Sequence, residues 1–246
     1  MSDPYDLPQG MSKGYIPRDR SLHPHGSLVF ARPFDIPLIP RSEWDARIAQ
    51  QTQDESSLWH LKRRLQMKSL DQNGTNYCWI NAGVNCVRLA YAFTQGITPD
   101  LSPASCGGPI TGYRNQGGDS SMAIEYLSQT GVSETKFWPA NAISSQYDTA
   151  ESKASKAAHR VTKWLDLRPT FDEVATCLLL NKPVSAGLSW WSHEICYLRL
   201  IKVGNGYGVT FWNSWSDSYG DQGEGELGES KARPDDATAC EVVTPV

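Results

Sequence analysis

The sequence contains no apolar run approaching the roughly 18 residues that a membrane-crossing helix needs, so no membrane-spanning helix is expected in it. It has no basic stretch long enough to track a phosphate backbone. Lys and Arg number 23 against 27 Asp and Glu, a formal net charge of −4. Nothing in that balance would neutralise a phosphate backbone, which argues against nucleic acid as the main partner. No CxxC pair occurs, and the six cysteines (Cys78, Cys86, Cys106, Cys177, Cys196, Cys240) are scattered. Met1–Pro8 is polar and acidic, with neither a basic nor an apolar region of a secretory signal. The cysteines are therefore expected to be mostly reduced thiols, in a chain not secreted by a classical signal. There is no internal repeat and no low-complexity tract. What the 246 residues do hold is 20 Gly, 15 Pro and 9 Trp, the composition of a turn-rich α+β protein rather than a helical bundle.

Residues 1–42 carry Pro4, Pro8, Pro17, Pro24, Pro33, Pro37 and Pro40. Such a run makes neither a regular helix nor a central strand, so it reads as an extended arm. Three uses stay open: a segment that blocks a cleft, a tether that docks on a partner, or a chain end wrapping its own domain. Residues 43–246 form the domain proper. Residues 43–70 are partly helical, with Ser42-x-x-Asp45 as a cap and Lys62, Arg63 and Arg64 as a solvated basic face.

The strongest helical pattern follows Cys78, where Ile80, Val84, Val87 and Tyr91 make one apolar stripe behind the turn-forming Asp71–Asn76. A second helix is expected from Ser120 to Thr130, capped by Asp119 or Ser120 and ended by Gly131. A third follows the Thr170-x-x-Glu173 capping box. Strands are predicted at Arg160–Leu167, Pro183–Trp190, Glu194–Val203 and Tyr207–Trp215, with Asn205-Gly206 as a hairpin signal. Helical elements thus precede a strand-rich second half.

A cysteine at a helix N-terminus gains thiolate character from the backbone N–H groups and the dipole. It becomes a nucleophile when a histidine pairs with it and a third group orients that histidine. Cys78 meets the first condition. Of His23, His25, His60, His159 and His193, only His193 begins a strong strand. Across the hairpin lies Trp212-Asn213-Ser214-Trp215, where an Asn oxygen would fix the imidazole tautomer. Cys86, Cys177 and Cys196 read as packing. His23-Pro24-His25 lacks a third ligand with zinc spacing, and His193-Glu194 has Tyr197 where an HExxH site needs histidine, so no metal is expected.

On these residues the sequence resembles the papain-like cysteine peptidases. Gln72, six positions before Cys78-Trp79, is similar to the family's Gln-x5-Cys-Trp block. Leu101-Ser102, Cys106 and Asn115-Gln116-Gly117-Gly118 resemble the second block. Lys182–Ser185, His193–Val203, and Asn213-Ser214-Trp215 with Gly220–Gly225 resemble the strand, histidine and asparagine blocks. The likeness covers roughly residues 66–230 in order. The family's usual Cys-Gly-Ser-Cys-Trp is here Thr75-Asn76-Tyr77-Cys78-Trp79, so the loop disulfide is missing and Cys106 is left as a free thiol.

The resemblance implies a two-lobed α+β fold. A helical lobe, approximately residues 66–140, would carry Cys78. A β-barrel-like lobe, 141–246, would carry His193 and Asn213, with the cleft between. It implies Cys78 as nucleophile, His193 as base and acid, Asn213 as its orienting group, and Gln72 with the Cys78 N–H as oxyanion donors. Gly117 and Gly118 would let a substrate backbone approach, with Tyr77, Trp79, Trp191 and Trp215 as further substrate-facing residues. Polypeptide is the implied substrate and no cofactor is needed. A second reading is a papain-like module in a larger assembly, for example a virion, docked through residues 1–42, in a cytoplasmic or virion-associated setting. A third is a related hydrolase of cell-wall peptides or amide conjugates.

Overall fold

The computed structural model describes residues 5–245, so Pro4 and the start of Met1–Pro8 lie outside the described residues. In chain order the elements are β1 (Ala31–Pro33), α1 (Arg41–Gln53), α2 (Leu58–Arg64), α3 (Cys78–Gln95), α4 (Ala104–Ile110) and α5 (Ser120–Gln129). A single 3-10 turn at Ser145–Tyr147 leads to α6 (Ala150–Ala158), β2 (Val161–Leu167), α7 (Phe171–Leu179), β3 (Val184–Leu188) and β4 (His193–Val203). The chain closes with β5 (Gly206–Trp212), β6 (Glu224–Gly228), α8 (Glu229–Ala232) and β7 (Asp236–Val243).

One seven-stranded sheet runs β1-β2-β7-β3-β4-β5-β6. Only β1 is parallel to its neighbour. The sheet is mixed with helices as expected of α+β, but it is not closed, so the barrel-like lobe is an open sheet. β1, containing Pro33, sits at its edge, where a missing N–H costs no ladder bond. The β4–β5 hairpin turns at Gly204-Asn205, with Val203 opposite Gly206. Gly204, with φ +57°, supplies the left-handed residue, one position earlier than the Asn-Gly signal suggests.

Two apolar cores lie on the two faces. One joins α3, α4 and α5 to Trp164, Leu198 and Trp212. The other joins Trp44 of α1 and the α7 face to β3, β4 and β5. The apolar stripe of α3 is in place, yet every residue from Cys78 to Ala92 is buried. The helix is enclosed because α2, α5, β4 and β7 all pack on it. Its polar groups bond inside: Asn81 Nδ2 donates to the Tyr77 carbonyl at 2.8 Å, and Arg88 donates to Asn85 Oδ1 and the Lys68 carbonyl. Cys86 Sγ on α3 lies 3.5 Å from Cys196 Sγ on β4. All six cysteines are free and buried.

Three local expectations are corrected. Lys62 and Arg63 are not a solvated face: Lys62 is 1% exposed. It bonds Glu224 Oε1 at 2.6 Å, and Arg63 spans Glu224 and Asp221. The carboxylates arrive from β6 and its preceding turn, which the local charge pattern does not reveal. Ser42 lies inside α1, whose N-cap is Pro40, and Asp45 instead binds Lys202 and Tyr207. Thr170 is the N-cap of α7 but its side chain makes no cap bond, and Glu173 is drawn to Arg168. Asp119 does cap α5 through Met122 N, and Gly131 ends it with φ +90°.

Candidate active site

Cys78 is the first residue of α3, and the N–H of Trp79 in the first turn faces its sulfur. β4 starts beside it, since the N–H of Glu194, the residue after His193, also faces that sulfur. β4 continues in register with β3 and β5, so His193 is held on a rigid central strand. Its Nε2 lies 2.7 Å from Asn213 Oδ1. An amide oxygen only accepts, so Nε2 carries the proton and Nδ1 is the free lone pair. Nδ1 makes no hydrogen bond among the described residues. Trp215 stacks on the imidazole at 4.5 Å and Trp191 meets its edge at 4.9 Å. These rings exclude water from the His193–Asn213 bond.

Asn213 is fixed by its own surroundings. Its N–H donates to the Gly223 carbonyl at 2.8 Å, its carbonyl accepts from Ser69 Oγ at 2.6 Å, and Oδ1 also accepts from Ser214 N. Gly223 has φ +79°, and a Cβ there would meet Ser69, so the glycine-rich turn is required. Gln72 is tied to the same block. Its N–H donates to the Ser214 carbonyl, and Ser214 Oγ donates to Gln72 Oε1 at 2.6 Å. This orients Nε2 of Gln72, which donates to the Thr75 carbonyl and, at 2.8 Å, to the carbonyl of Ser12.

Ser12 belongs to the N-terminal arm, which lies across this site. The N–H of Gly14 faces the Cys78 sulfur. Gly118 N–H donates to the Gly14 carbonyl and Ile16 N–H to the Gly118 carbonyl, both at 2.9 Å, so Tyr15 pairs with Gly118 as in a parallel strand. Gly117 allows this approach, because a Cβ there would meet the Gly14 carbonyl. Lys13 sits over the Trp191 ring, and the Tyr5 carbonyl accepts from Trp191 Nε1 at 2.8 Å. Downstream, the Arg18 guanidinium enters a buried pair with Asp166 at 2.8 Å and Asp236 at 3.3 Å.

With the arm seated, burial dominates the electrostatics. It pushes the Cys78 thiol up to about 12, with the Glu194 carboxyl adding to the shift and the N–H groups of Glu194, Gly14 and Trp79 opposing it. It pushes His193 down to about 3, against the bond to Asn213 and with the Lys13 charge. The covered pair is thus a neutral thiol and a neutral imidazole.

The structure brings Gln72, Cys78, His193, Asn213, Gly118, Trp191 and Trp215 to one place. Tyr77 is elsewhere. Its ring packs on Gly107 of α4, and its hydroxyl bonds Thr111 and donates to the Arg114 carbonyl, so it braces the start of α3 against α4 and the loop after it. Trp79 is buried against Gly118 and bonds the Asn76 carbonyl. Nothing in the Pro-rich pattern of the arm marked Ser12, Gly14 and Tyr15 as cleft residues. Among the described residues no group of His, Cys, Asp and Glu is arranged to hold a metal, and no helix is long and apolar enough to cross a membrane.

No family model matches the chain, and no curated protein matches it in sequence. Solved structures do. Xylellain, a cysteine protease from Xylella fastidiosa, is similar with a TM-score of 0.65 at 12% identity, over 96% of this chain and 97% of that one. Digestive procathepsin L 3 of Tenebrio molitor larval midgut gives 0.62 at 15%, over 71% of this chain and 66% of its own. The bromelain protease from Ananas comosus gives 0.61 at 16%, over 72% and 94%.

Proposed function

On the papain-like α+β fold that these likenesses show, we propose that the chain is a cysteine-type peptide hydrolase whose N-terminal arm covers its own site. The observation that carries the reading is the His193 Nε2–Asn213 Oδ1 bond of 2.7 Å, which leaves Nδ1 free where β4 begins beside Cys78.

The geometry supports the following roles. When the arm lifts, water returns to the site and the desolvation that keeps both groups neutral is relieved. Nδ1 of His193 takes the Cys78 proton, and the thiolate is stabilised by the N-terminus of α3. The sulfur attacks the peptide carbonyl carbon. The developing oxyanion accepts from the Cys78 N–H and from Gln72 Nε2, the group that holds the Ser12 carbonyl in the covered form. His193 returns the proton to the leaving amine and a thioester remains. Water, deprotonated by His193, attacks the thioester, releasing the acid and the thiol. Asn213 acts through His193, holding the tautomer.

The test measures carbamidomethylation of Cys78 by iodoacetamide from pH 4 to 9, with cleavage of a peptide library alongside. It compares the intact chain, a Gly14→Ala chain whose arm is displaced, and the latter with His193→Ala. Fast labelling below pH 6 in Gly14→Ala that disappears with His193→Ala, together with peptide cleavage, is the expected result. Labelling that rises only near the ordinary thiol value of about 8.5 in every form would overturn the proposal.

A further inference from the structure

The arm fills more than the catalytic centre. The Tyr15 ring lies over Gly187 in β3, and a Cβ at Gly187 would sit 2.7 Å from Tyr15 Oη and nearer still to the ring carbons. The missing side chain makes a slot. Gly187 is paired with Glu194 of β4 on one side and Asp236 of β7 on the other. Directly opposed residues in a sheet project to the same face, so the slot is walled by two carboxyls. Both are 1% exposed. Glu194 Oε1 accepts from Ser120 Oγ and Ser185 Oγ, but Oε2 has no partner. Asp236 Oδ2 has none either, and nor does the buried Tyr15 hydroxyl between them.

Tyr15 is therefore an imperfect occupant. Its ring fits the Gly187 gap, while its one hydroxyl leaves two carboxyl oxygens unsatisfied. The floor beyond it already binds a cation, because Arg18 of the arm reaches Asp166 and Asp236 with its side chain fully buried. When the arm withdraws, Tyr15, Arg18 and Arg20 leave together, and Asp166 and Asp236 lose the guanidinium groups that reach them, Arg18 on both and Arg20 at 3.2 Å on Asp236. Burial pushes both the Glu194 and Asp236 carboxyls up, Asp236 to about 6, and an entering cation supplies the counter-charge that lets them ionise.

We infer that this slot is a specificity pocket of the uncovered site, and that it takes a long basic side chain, arginine before lysine, from a peptide. Arginine is favoured because its planar fork can bridge Glu194 and Asp236, as the arm's guanidinium bridges Asp166 and Asp236. The pocket adjoins the cleft, since Tyr15 follows Gly14, whose N–H faces the sulfur. The inference rests on the peptidase reading for its biological use, but binding in the slot does not require the chemistry.

Binding is measured first, by fluorescence anisotropy, in a full chain carrying Gly14→Ala, Arg18→Ala and Cys78→Ser, which cannot hydrolyse. The probes are labelled acetylated tripeptide amides differing only in a central arginine, lysine, norleucine or phenylalanine. The arginine peptide is expected to bind roughly 10- to 100-fold tighter than the norleucine peptide, the span of one or two charge-assisted bonds. Adding Asp236→Asn, or separately Glu194→Gln, should remove most of the preference for arginine over norleucine. A thermal melt matching that of the parent chain shows that each variant is folded. Equal binding of the arginine and norleucine peptides, or a preference that survives both substitutions, overturns the inference. In the Gly14→Ala chain that retains Cys78, kcat/KM for the same peptides should follow the binding order. Arginine-selective binding without cleavage would keep the pocket and refute the peptidase; cleavage without arginine selectivity would do the reverse.

Discussion

Gly14→Ala is the sharpest perturbation of the covered state. A Cβ at Gly14 would lie 2.6 Å from the Asn76 carbonyl carbon and 2.9 Å from Asn76 Cα, with the carbonyl oxygen nearer still. These are backbone atoms, and the Asn76 loop is pinned because its N–H donates to Asn115 Oδ1 at 2.6 Å. No rotamer change relieves the clash, so the arm must lift. Among the bonds that then break are three beside the clash: Gln72 to Ser12, Gly118 to Gly14, and Ile16 to Gly118. At about 1 kcal/mol each they sum to about 3 kcal/mol, roughly a 100-fold shift from covered to open. The assay is the rate of iodoacetamide labelling of Cys78 at pH 6.5, read by mass spectrometry against the other five cysteines, which are buried. Labelling should rise by about that factor, since it is proportional to the open population when opening is fast. Limited proteolysis within residues 5–20 should rise in parallel. Gly228→Ala, where a Cβ meets open space, is the control and should leave both unchanged. Labelling of Gly14→Ala no faster than the parent chain would refute the claim that these contacts close the site.

Further outcomes follow from the same geometry. In the Gly14→Ala chain, Gln72→Ala should lower kcat for peptide cleavage by about 100- to 1,000-fold, yet leave iodoacetamide labelling nearly unchanged, because alkylation develops no oxyanion. In the intact chain, Cys78 labelling should stay slow through pH 9, the thiol being pushed up to about 12. His193, pushed down to about 3, is neutral when folded and titrates near 6.5 when unfolded. A depressed histidine stabilises the fold fully above pH 6.5 and loses that contribution as pH falls toward 3. The Tm advantage of the intact chain over His193→Gln should therefore shrink across that interval in a thermal melt. Glu224→Ala should cost about 3–5 kcal/mol in urea denaturation, because it strands the buried Lys62 ammonium, which bonds Glu224 at 2.6 Å.

Much of this was written locally in the sequence. The α3 stripe, the capping Asp119 and the strand starting at His193 are short-range signals, and short-range chemistry sets them. What could not be read depends on residues far apart in the chain. Lys62 looks like a surface lysine until Glu224 arrives 162 positions later. The expected caps at Ser42 and Thr170 failed because Asp45 and Glu173 found stronger partners in Lys202 and Arg168. The sheet remains open because β1, drawn from the Pro-rich arm, occupies one edge and β6 the other. Gly187 gave no sign of a slot, since a lone glycine in a strand tells nothing until its cross-strand neighbours are known.

That same edge strand decides how the arm behaves once it lets go. The lifted segment is still spliced into the sheet at Ala31, 15 positions along the chain from Ile16. A flexible stretch of that length spans about 22 Å, which keeps the free end at an effective concentration on the order of millimolar around the cleft. Re-covering is a first-order event, indifferent to dilution, and a diffusing peptide competes against a rival that never leaves. Cutting the chain once between Ile16 and Ala31 would convert that rival into an ordinary solute, and a reversible shutter into a one-way release.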